Sequence, residues 1–152
     1  MFSVIIHNVR SILNVGAIFR IADGAGVDRI YLTGYTPGPD THAEKIAKTA
    51  LGADRSVSWE RVRRVGDLAR RLKEKGVQIV GLEQSAGSID YRKLRPKNGF
   101  AVIVGNEVEG VTSNVAQYCD VMIEIPMRGQ KESLNVAVAF GIAAYELTRR
   151  KK

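Results

Sequence analysis

Residues 121–147 read VMIEIPMRGQKESLNVAVAFGIAAYEL, which divides into a strand, a polar loop and a long apolar helix. The strand, predicted over 121–125, is rich in β-favouring residues, and Pro126 ends it because proline has no backbone N–H to donate. Ser133 is predicted to cap the helix. Apolar side chains then fall on nearly every face of it, at Leu134, Val136, Val138, Phe140, Ile142, Tyr145 and Leu147. A helix of this kind has to be covered.

Small side chains mark one side of this helix. Ala137, Gly141 and Ala144 recur at helical spacing, so another helix or a flat ligand can approach closely. Asn135 places an amide near the start of the helix, where a side chain that prefers solvent is otherwise out of place. We therefore predict that Ser133 and Asn135 belong to a functional site.

Strands and helices alternate along the rest of the chain. Strands are predicted at 3–7, 29–33, 56–59, 77–82, 100–104 and 121–125, and helices at 15–25, 43–51 and 59–75, with a short helical turn after 112–114. Such alternation is typical of an α/β fold, a mostly parallel sheet with helices on both faces. No linker, repeat or low-complexity segment interrupts it, so we expect a single domain over 1–152.

The composition is that of a globular protein, with 45% hydrophobic and 26% charged residues. The lone Cys119 excludes an internal disulfide, and the only histidines, His7 and His42, predict no metal cluster. No signal peptide is visible, and the apolar part of the last helix is too short to span a membrane. A cytoplasmic protein is expected.

The formal net charge is +7, and basic residues gather at 61–75, 92–97 and 149–152. That balance favours a polyanionic partner. The alternative is a solvated helix face followed by a basic tail. Charge alone does not separate the two interpretations.

The first loop with unusual residues, 8–14, leads from the first strand into a helix that Asn14 is predicted to cap. Arg20 lies further along this helix, and its neighbours three and four positions away are mostly small. The space around Arg20 admits a phosphate, a carboxylate or another subunit. The alternative is an exposed arginine paired with Asp23.

The second loop, 105–110, reads GNEVEG directly after an apolar strand. Two glycines bracket three polar residues, which suits close approach of the backbone to a ligand with the Glu107 carboxylate aimed inward. A simple turn is the alternative. The loop is not a nucleotide fingerprint, because no Gly-x-Gly-x-x-Gly follows the first strand and no phosphate-binding Gly-x-x-x-x-Gly-Lys-Ser/Thr sequence occurs.

Three segments together resemble the ordered motifs of the SpoU/TrmH branch of the SPOUT RNA methyltransferases. They are NVGAIFR with ADGAG at 14–26, IVGNE with Gly110 at 103–110, and IPM with SLNVAVA at 125–139. The segment 49–59 is similar to the family's connection between its second and third strands. The resemblance implies an α/β fold with a deep C-terminal trefoil knot, binding of S-adenosylmethionine, and a homodimer.

The resemblance also implies roles for individual residues. Those matching the motifs are expected in catalysis: Asn14, Arg20, Glu107, Ser133 and Asn135. The expected cofactor contacts are Leu82, Gly105, Asn106, Ile125, Met127, Ser133, Leu134 and Ala139. The expected RNA contacts are His7, Arg10, Arg20 and Arg128, and no metal ion is expected.

The reaction implied is methyl transfer from the sulfonium of S-adenosylmethionine to a ribose 2′-oxygen of RNA. The family assigns the arginine matching Arg20 as general base. A guanidinium, however, keeps its proton far above neutral pH, and a nearby phosphate stabilises the charged form further. We therefore favour Arg20 as a clamp on the phosphate beside the reacting ribose.

Several alternatives stay open at this stage. The substrate is expected to be tRNA, with rRNA as the alternative. A binding protein that has kept the fold without the chemistry would need a gap in the motif set, and none is seen. A methyltransferase acting on a base or a protein side chain would not explain the motif around Arg20. The chain starts within a few residues of its first strand, so we expect a minimal form without an N-terminal RNA-binding domain.

Overall fold

The computed structural model describes residues 1–150, so the last two residues of the basic run 149–152 lie outside the described residues. Seven strands form one sheet: β1 Phe2–His7, β2 Arg29–Thr33, β3 Trp59–Val62, β4 Gln78–Leu82, β5 Ile89–Asp90, β6 Phe100–Val104 and β7 Val121–Glu124. Their order is β3-β2-β1-β6-β4-β7-β5, and every neighbouring pair is parallel. The predicted parallel α/β architecture is confirmed.

Helices cover both faces of the sheet. They are α1 Ile12–Ala25, α2 Ala43–Ala50, α3 Ala53–Ser56, α4 Val65–Glu74, α5 Ser113–Ala116 and α6 Val136–Arg150, with a 3-10 turn at Tyr91–Lys93. Alternate residues of β1 divide between two cores, because successive strand side chains point to opposite faces. Val4 and Ile6 pack with Phe19 of α1 and Phe140 of α6, while Ile5 packs with residues of α4 and α5.

The central strands explain why the sheet is buried on both sides. Every residue of β6, FAVIV, is buried, as expected for a parallel strand between two helical layers. Phe2 and Phe100 lie opposite each other in the register of β1 and β6, and their rings stack with centroids 4.5 Å apart. Because β6, β4 and β7 are parallel neighbours, their carboxyl ends lie side by side at the same edge of the sheet.

The third strand and the following helix differ from the prediction. The strand is Trp59–Val62, rather than 56–59, and the helix begins at Val65 rather than at residue 59. β3 is an edge strand that pairs only with β2 among the described strands, so charged side chains between its apolar ones are tolerated. Glu60 of β3 accepts from Arg71 of α4 at 3.0 Å, so the strand and the helix that follows it are joined by a charged contact. The two-residue strand β5 carried no sequence signal.

Two predicted helix caps are also corrected. The Ser11 hydroxyl, rather than Asn14, caps α1: it accepts from the Asn14 N–H at 3.2 Å. Asn135, rather than Ser133, caps α6, because its side-chain oxygen accepts from the N–H groups of Ala137 and Val138 at 2.9 and 3.3 Å. Both segments hold two good capping residues close together, and tertiary contacts decide which one caps.

The last helix is only partly covered within the chain. Its residues Phe140, Ala144 and Leu147 are buried, but the side of α6 with Val138, Ile142 and Tyr145 is 50, 37 and 58% exposed. The helix was expected to be covered on nearly every face, but within this chain its face with Val138, Ile142 and Tyr145 stays exposed. None of the helices in residues 1–150 is long and apolar enough to cross a membrane.

Candidate active site

A cavity of about 250 Å³ opens at the carboxyl ends of β4, β6 and β7, beside the start of α6. All eight residues predicted to contact a cofactor line it: Leu82, Gly105, Asn106, Ile125, Met127, Ser133, Leu134 and Ala139. Its volume is close to the lower end of small-molecule sites, ~300 Å³. Parallel α/β sheets bind their ligands at this edge. The fold therefore joins three loops that are far apart in the sequence.

The buried side chain of Asn106 fixes the shape of loop 105–110. Its oxygen accepts from the N–H groups of Val108 at 2.8 Å and Glu109 at 3.0 Å. Its amide donates to the carbonyl of Asn8 at 3.0 Å, which ties the loop to the end of β1. The loop is thus a turn, but one held from inside and anchored to a neighbouring strand.

Glu107 connects the same loop to the start of α1. Its carboxylate accepts from the N–H groups of Arg10 at 3.1 Å and Ser11 at 3.0 Å, and from the Asn14 amide at 3.4 Å. Partial burial acts to raise the pKa of Glu107, but the N–H donors together outweigh it, so its pKa lies below the ordinary value. Glu107 is therefore a carboxylate at neutral pH, placed where a helix N-terminus stabilises negative charge.

Asn14 and Asn135 complete a chain of hydrogen bonds between the three motifs. The Asn135 amide donates to the Asn14 side-chain oxygen at 3.0 Å, and the Asn14 amide donates to Glu107. Because Asn14 does not cap its helix, both ends of its side chain are free for these contacts. The structure thus brings together three of the five predicted catalytic residues.

Carboxylates that sequence reasoning missed surround the cavity. Glu83, Glu109 and Glu124 line it together with Glu107, and no lysine, arginine or histidine of residues 1–150 does. In a chain of net charge +7 this is a local reversal of sign. It favours a ligand that carries positive charge. Their positions in the sequence could have indicated them, because each lies at or after the carboxyl end of a strand. Glu83 follows β4, Glu109 lies in the loop after β6, and Glu124 ends β7.

Glu83 and Gln84 join the neighbouring loops around the cavity. Glu83 accepts from the N–H groups of Gln84 at 2.9 Å and Val111 at 3.3 Å. Gly110 has a φ of 65°, a left-handed conformation that favours glycine, and the Glu83 carboxylate packs directly against its backbone. The Gln84 amide donates to the carbonyl of Glu132 at 2.8 Å, which holds the loop before α6.

Arg20 lies apart from this cavity. It lines a second, shallow depression with residues of α1, α2 and α6: Ala17, Ile21, Gly24, Lys48, Thr49, Leu51 and Tyr145. Arg20 lies six positions beyond Asn14 on α1, which places it about 9 Å further along the helix axis and about 120° away around it. Within residues 1–150 Arg20 has no ion pair, and Asp23 instead accepts from the Ser56 hydroxyl at 2.8 Å. The alternative of an Arg20–Asp23 pair is wrong.

Of the remaining predicted residues, Ser133 lines the cavity, whereas His7, Arg10 and Arg128 do not. Ser133 is exposed at the cavity and has no side-chain hydrogen bond in the described part of the chain. Arg10 and Arg128 are exposed and form no ion pair among residues 1–150. His7 is half-buried, with Nδ1 2.9 Å from the Thr33 hydroxyl, and burial lowers the pKa of its imidazole. The lowered pKa favours the neutral ring of His7 at physiological pH.

The fold and the cavity define an α/β protein with a small-molecule-sized cavity beside its strand ends. A model of the SpoU rRNA Methylase family matches residues 1–145. The chain belongs to this family, in the SpoU/TrmH branch of the SPOUT superfamily.

Individual relatives agree with the family assignment. A TrmH family protein of Staphylococcus aureus (strain COL) is 33% identical over 138 residues, covering 91% of this chain and 54% of its own. The tRNA (guanosine(18)-2′-O)-methyltransferase of Escherichia coli (strain K12) is 32% identical over 139 residues, covering 91% and 59%. The chain thus spans little more than half the length of these relatives.

A solved structure extends the similarity to three dimensions. The crystal structure of an AdoMet-bound rRNA methyltransferase from Sinorhizobium meliloti superposes with a TM-score of 0.90 and 32% identity, covering 97% of this chain and 56% of that one. The predicted family and its parallel α/β fold are confirmed.

Proposed function

We propose that this chain transfers a methyl group from S-adenosylmethionine to a ribose 2′-hydroxyl of RNA, with tRNA as the expected substrate. The observation that carries the proposal is the convergence of the three motifs on one cavity. The family, the E. coli relative named for tRNA 2′-O-methylation and the AdoMet-bound structural neighbour support it. The neighbour's name, an rRNA methyltransferase, keeps rRNA as the alternative substrate.

The cavity suits S-adenosylmethionine in both shape and charge. Leu82, Ile125 and Leu134 offer apolar surface for the adenosine, and the backbone around Gly105 allows close approach. Glu83 and Glu124 face a ligand whose sulfonium and ammonium groups are positive. When bound, the cofactor supplies a methyl group on an excellent leaving group, so the protein has to align the nucleophile and help its proton depart.

Arg20 is proposed to bind the RNA phosphate next to the reacting ribose. Arg20 is exposed, lines a depression together with Lys48, and has no ion pair within residues 1–150, so it is available to an anion. A guanidinium is a poor proton acceptor, so we assign Arg20 a binding role rather than that of a base. The phosphate or a water molecule then takes the proton of the 2′-hydroxyl. Arg10 and Arg128 are proposed as further phosphate contacts.

A homodimer is proposed to bring Arg20 to a cofactor cavity. The exposed apolar side chains Leu51 and Tyr145 line the same depression as Arg20 and continue into the open face of α6. Apolar surface of this extent beside a functional arginine is typical of an interface. A self-complementary contact through α1 and α6 covers it and sets Arg20 near the partner's cavity.

The finer features of the family complete the proposal. The chain is proposed to act as one domain over 1–152, to be cytoplasmic, and to need no metal. Its C-terminal part is proposed to form a trefoil knot; the insertion of β7 between β4 and β5 supports this. A crystal structure traced through 82–147 tests the knot. A backbone that becomes a straight line when its two ends are pulled apart would contradict it.

Methyl transfer from labelled S-adenosylmethionine into separated tRNA and rRNA fractions tests the function. We expect label in tRNA at a ribose 2′-oxygen. Label only in rRNA would select the alternative substrate. Label on a base, or RNA binding without transfer by folded protein, would contradict the proposal.

A further inference from the structure

Tyr35 is an exposed aromatic residue whose position is fixed by two hydrogen bonds. It follows β2 and is 57% exposed. Its hydroxyl accepts from the Asn106 amide at 3.0 Å, and its backbone N–H donates to the Asn8 side-chain oxygen at 3.1 Å. A side chain is usually ordered by the contacts it gains on burial. Tyr35 is instead exposed and held by hydrogen bonds at its backbone and at its hydroxyl.

The backbone around Tyr35 is shaped for this arrangement. Asn8 adopts a φ of 54° and Gly34 a φ of 63°, and a Cβ at Gly34 would overlap the Asn8 side chain. Left-handed conformations of this kind cost free energy for asparagine and persist where the surroundings hold them. Strand ends from β1, β2 and β6 thus cooperate to present one ring.

The position of the ring connects it to the cofactor cavity. Asn106, which holds the tyrosine hydroxyl, also lines that cavity and shapes loop 105–110. On the other side, the Gly34 N–H donates to the carbonyl of Arg63 at 3.1 Å. Arg63 and Arg64 are exposed at the end of β3 and have no ion pair within residues 1–150. A flat ring therefore lies between a carboxylate-lined cavity and free cations along one edge of the sheet.

We propose that Tyr35 is a stacking platform for an unpaired base of the RNA substrate near the methylated nucleotide, with Arg63 contacting the adjoining phosphate. Unpaired bases are commonly recognised by stacking on exposed aromatic rings. The Asn106 contact then aligns the platform with the cofactor loop. This inference rests on the proposed function, because it names how that function holds its substrate.

The test compares Tyr35→Leu, Tyr35→Phe and Tyr35→Trp with wild type on the RNA fraction that wild type methylates. Tyr35→Leu is expected to raise Kd and KM for RNA by about 5- to 100-fold, the range that a lost base stack produces, while S-adenosylmethionine affinity stays unchanged. Phe and Trp keep a flat face for stacking but lose the hydroxyl that Asn106 holds, so both are expected to bind RNA less tightly than wild type and more tightly than Tyr35→Leu. Tyr91→Leu, the same change at a half-buried tyrosine, is the matched control.

Salt dependence separates stacking from charge. Tyr35→Leu is expected to leave the slope of log Kd against log salt unchanged, whereas Arg63→Leu reduces it by about 0.7. Wild-type RNA affinity in Tyr35→Leu overturns the platform and leaves the methyltransferase proposal intact. Equal loss of cofactor affinity, or dissociation into monomers, also overturns it, since Tyr35 would then be a structural support. Absence of RNA methylation by wild type removes both proposals.

Discussion

At the scale of single residues, Arg20 decides between the mechanisms open to this site. We predict that Arg20→Ala lowers single-turnover methyl transfer by about 100-fold or more, because the phosphate is no longer aligned, and leaves cofactor affinity unchanged. Arg20→Lys keeps the charge without the planar fork and should retain a measurable fraction. Arg70→Ala, on the opposite face of the sheet, is the control. Near-normal transfer by Arg20→Ala would exclude both functional roles of this residue.

Glu107 gives a second prediction at this scale, in the pH dependence of stability. Because its folded-state pKa is lowered, its contribution to stability is present above its ordinary value near 4.5 and is lost as the pH falls through the folded value. We expect Glu107→Gln to cost about 0.5–1 kcal/mol at pH 7 and progressively less below pH 4.5. Urea unfolding of both proteins across pH measures the difference, and a constant gap would refute this assignment.

The grouping of the site residues was predictable, since all eight residues named from the resemblance line one cavity, while their contact with a cofactor stays a prediction. What could not be predicted was which polar side chain performs which task. Ser11 and Asn14 are both good caps, but the helix begins after Ser11, and the Asn14 side chain instead contacts Glu107 and Asn135. The carboxylates of Glu83 and Glu124 were missed because their importance depends on which strands are neighbours.

At the scale of elements, the alternation of strands and helices was predictable because buried parallel strands are apolar throughout. The edge strand β3 was displaced in the prediction because its charges resemble those of the helix that follows. Strand order was not predictable: β6 lies between β1 and β4 through contacts far apart in sequence.

The open face of α6 gives a prediction at this scale. Ile142→Asp should convert the proposed dimer into monomers, because a charge buried without a partner opposes association. Ser113→Asp, on α5 across the sheet, is the control. Light scattering at micromolar concentration measures the mass. A wild-type monomer would contradict the proposed interface, and an unaffected Ile142→Asp dimer would place it elsewhere.

At the scale of the whole molecule, the central claim is that the motif residues converge to bind S-adenosylmethionine. The most direct measurement is a calorimetric titration of the cofactor into wild type and Ala139→Leu. We predict saturable binding by wild type and at least about tenfold weaker binding by the variant, because the larger side chain fills part of a cavity of about 250 Å³. No binding by folded wild-type protein, or undiminished binding by Ala139→Leu, would contradict the account.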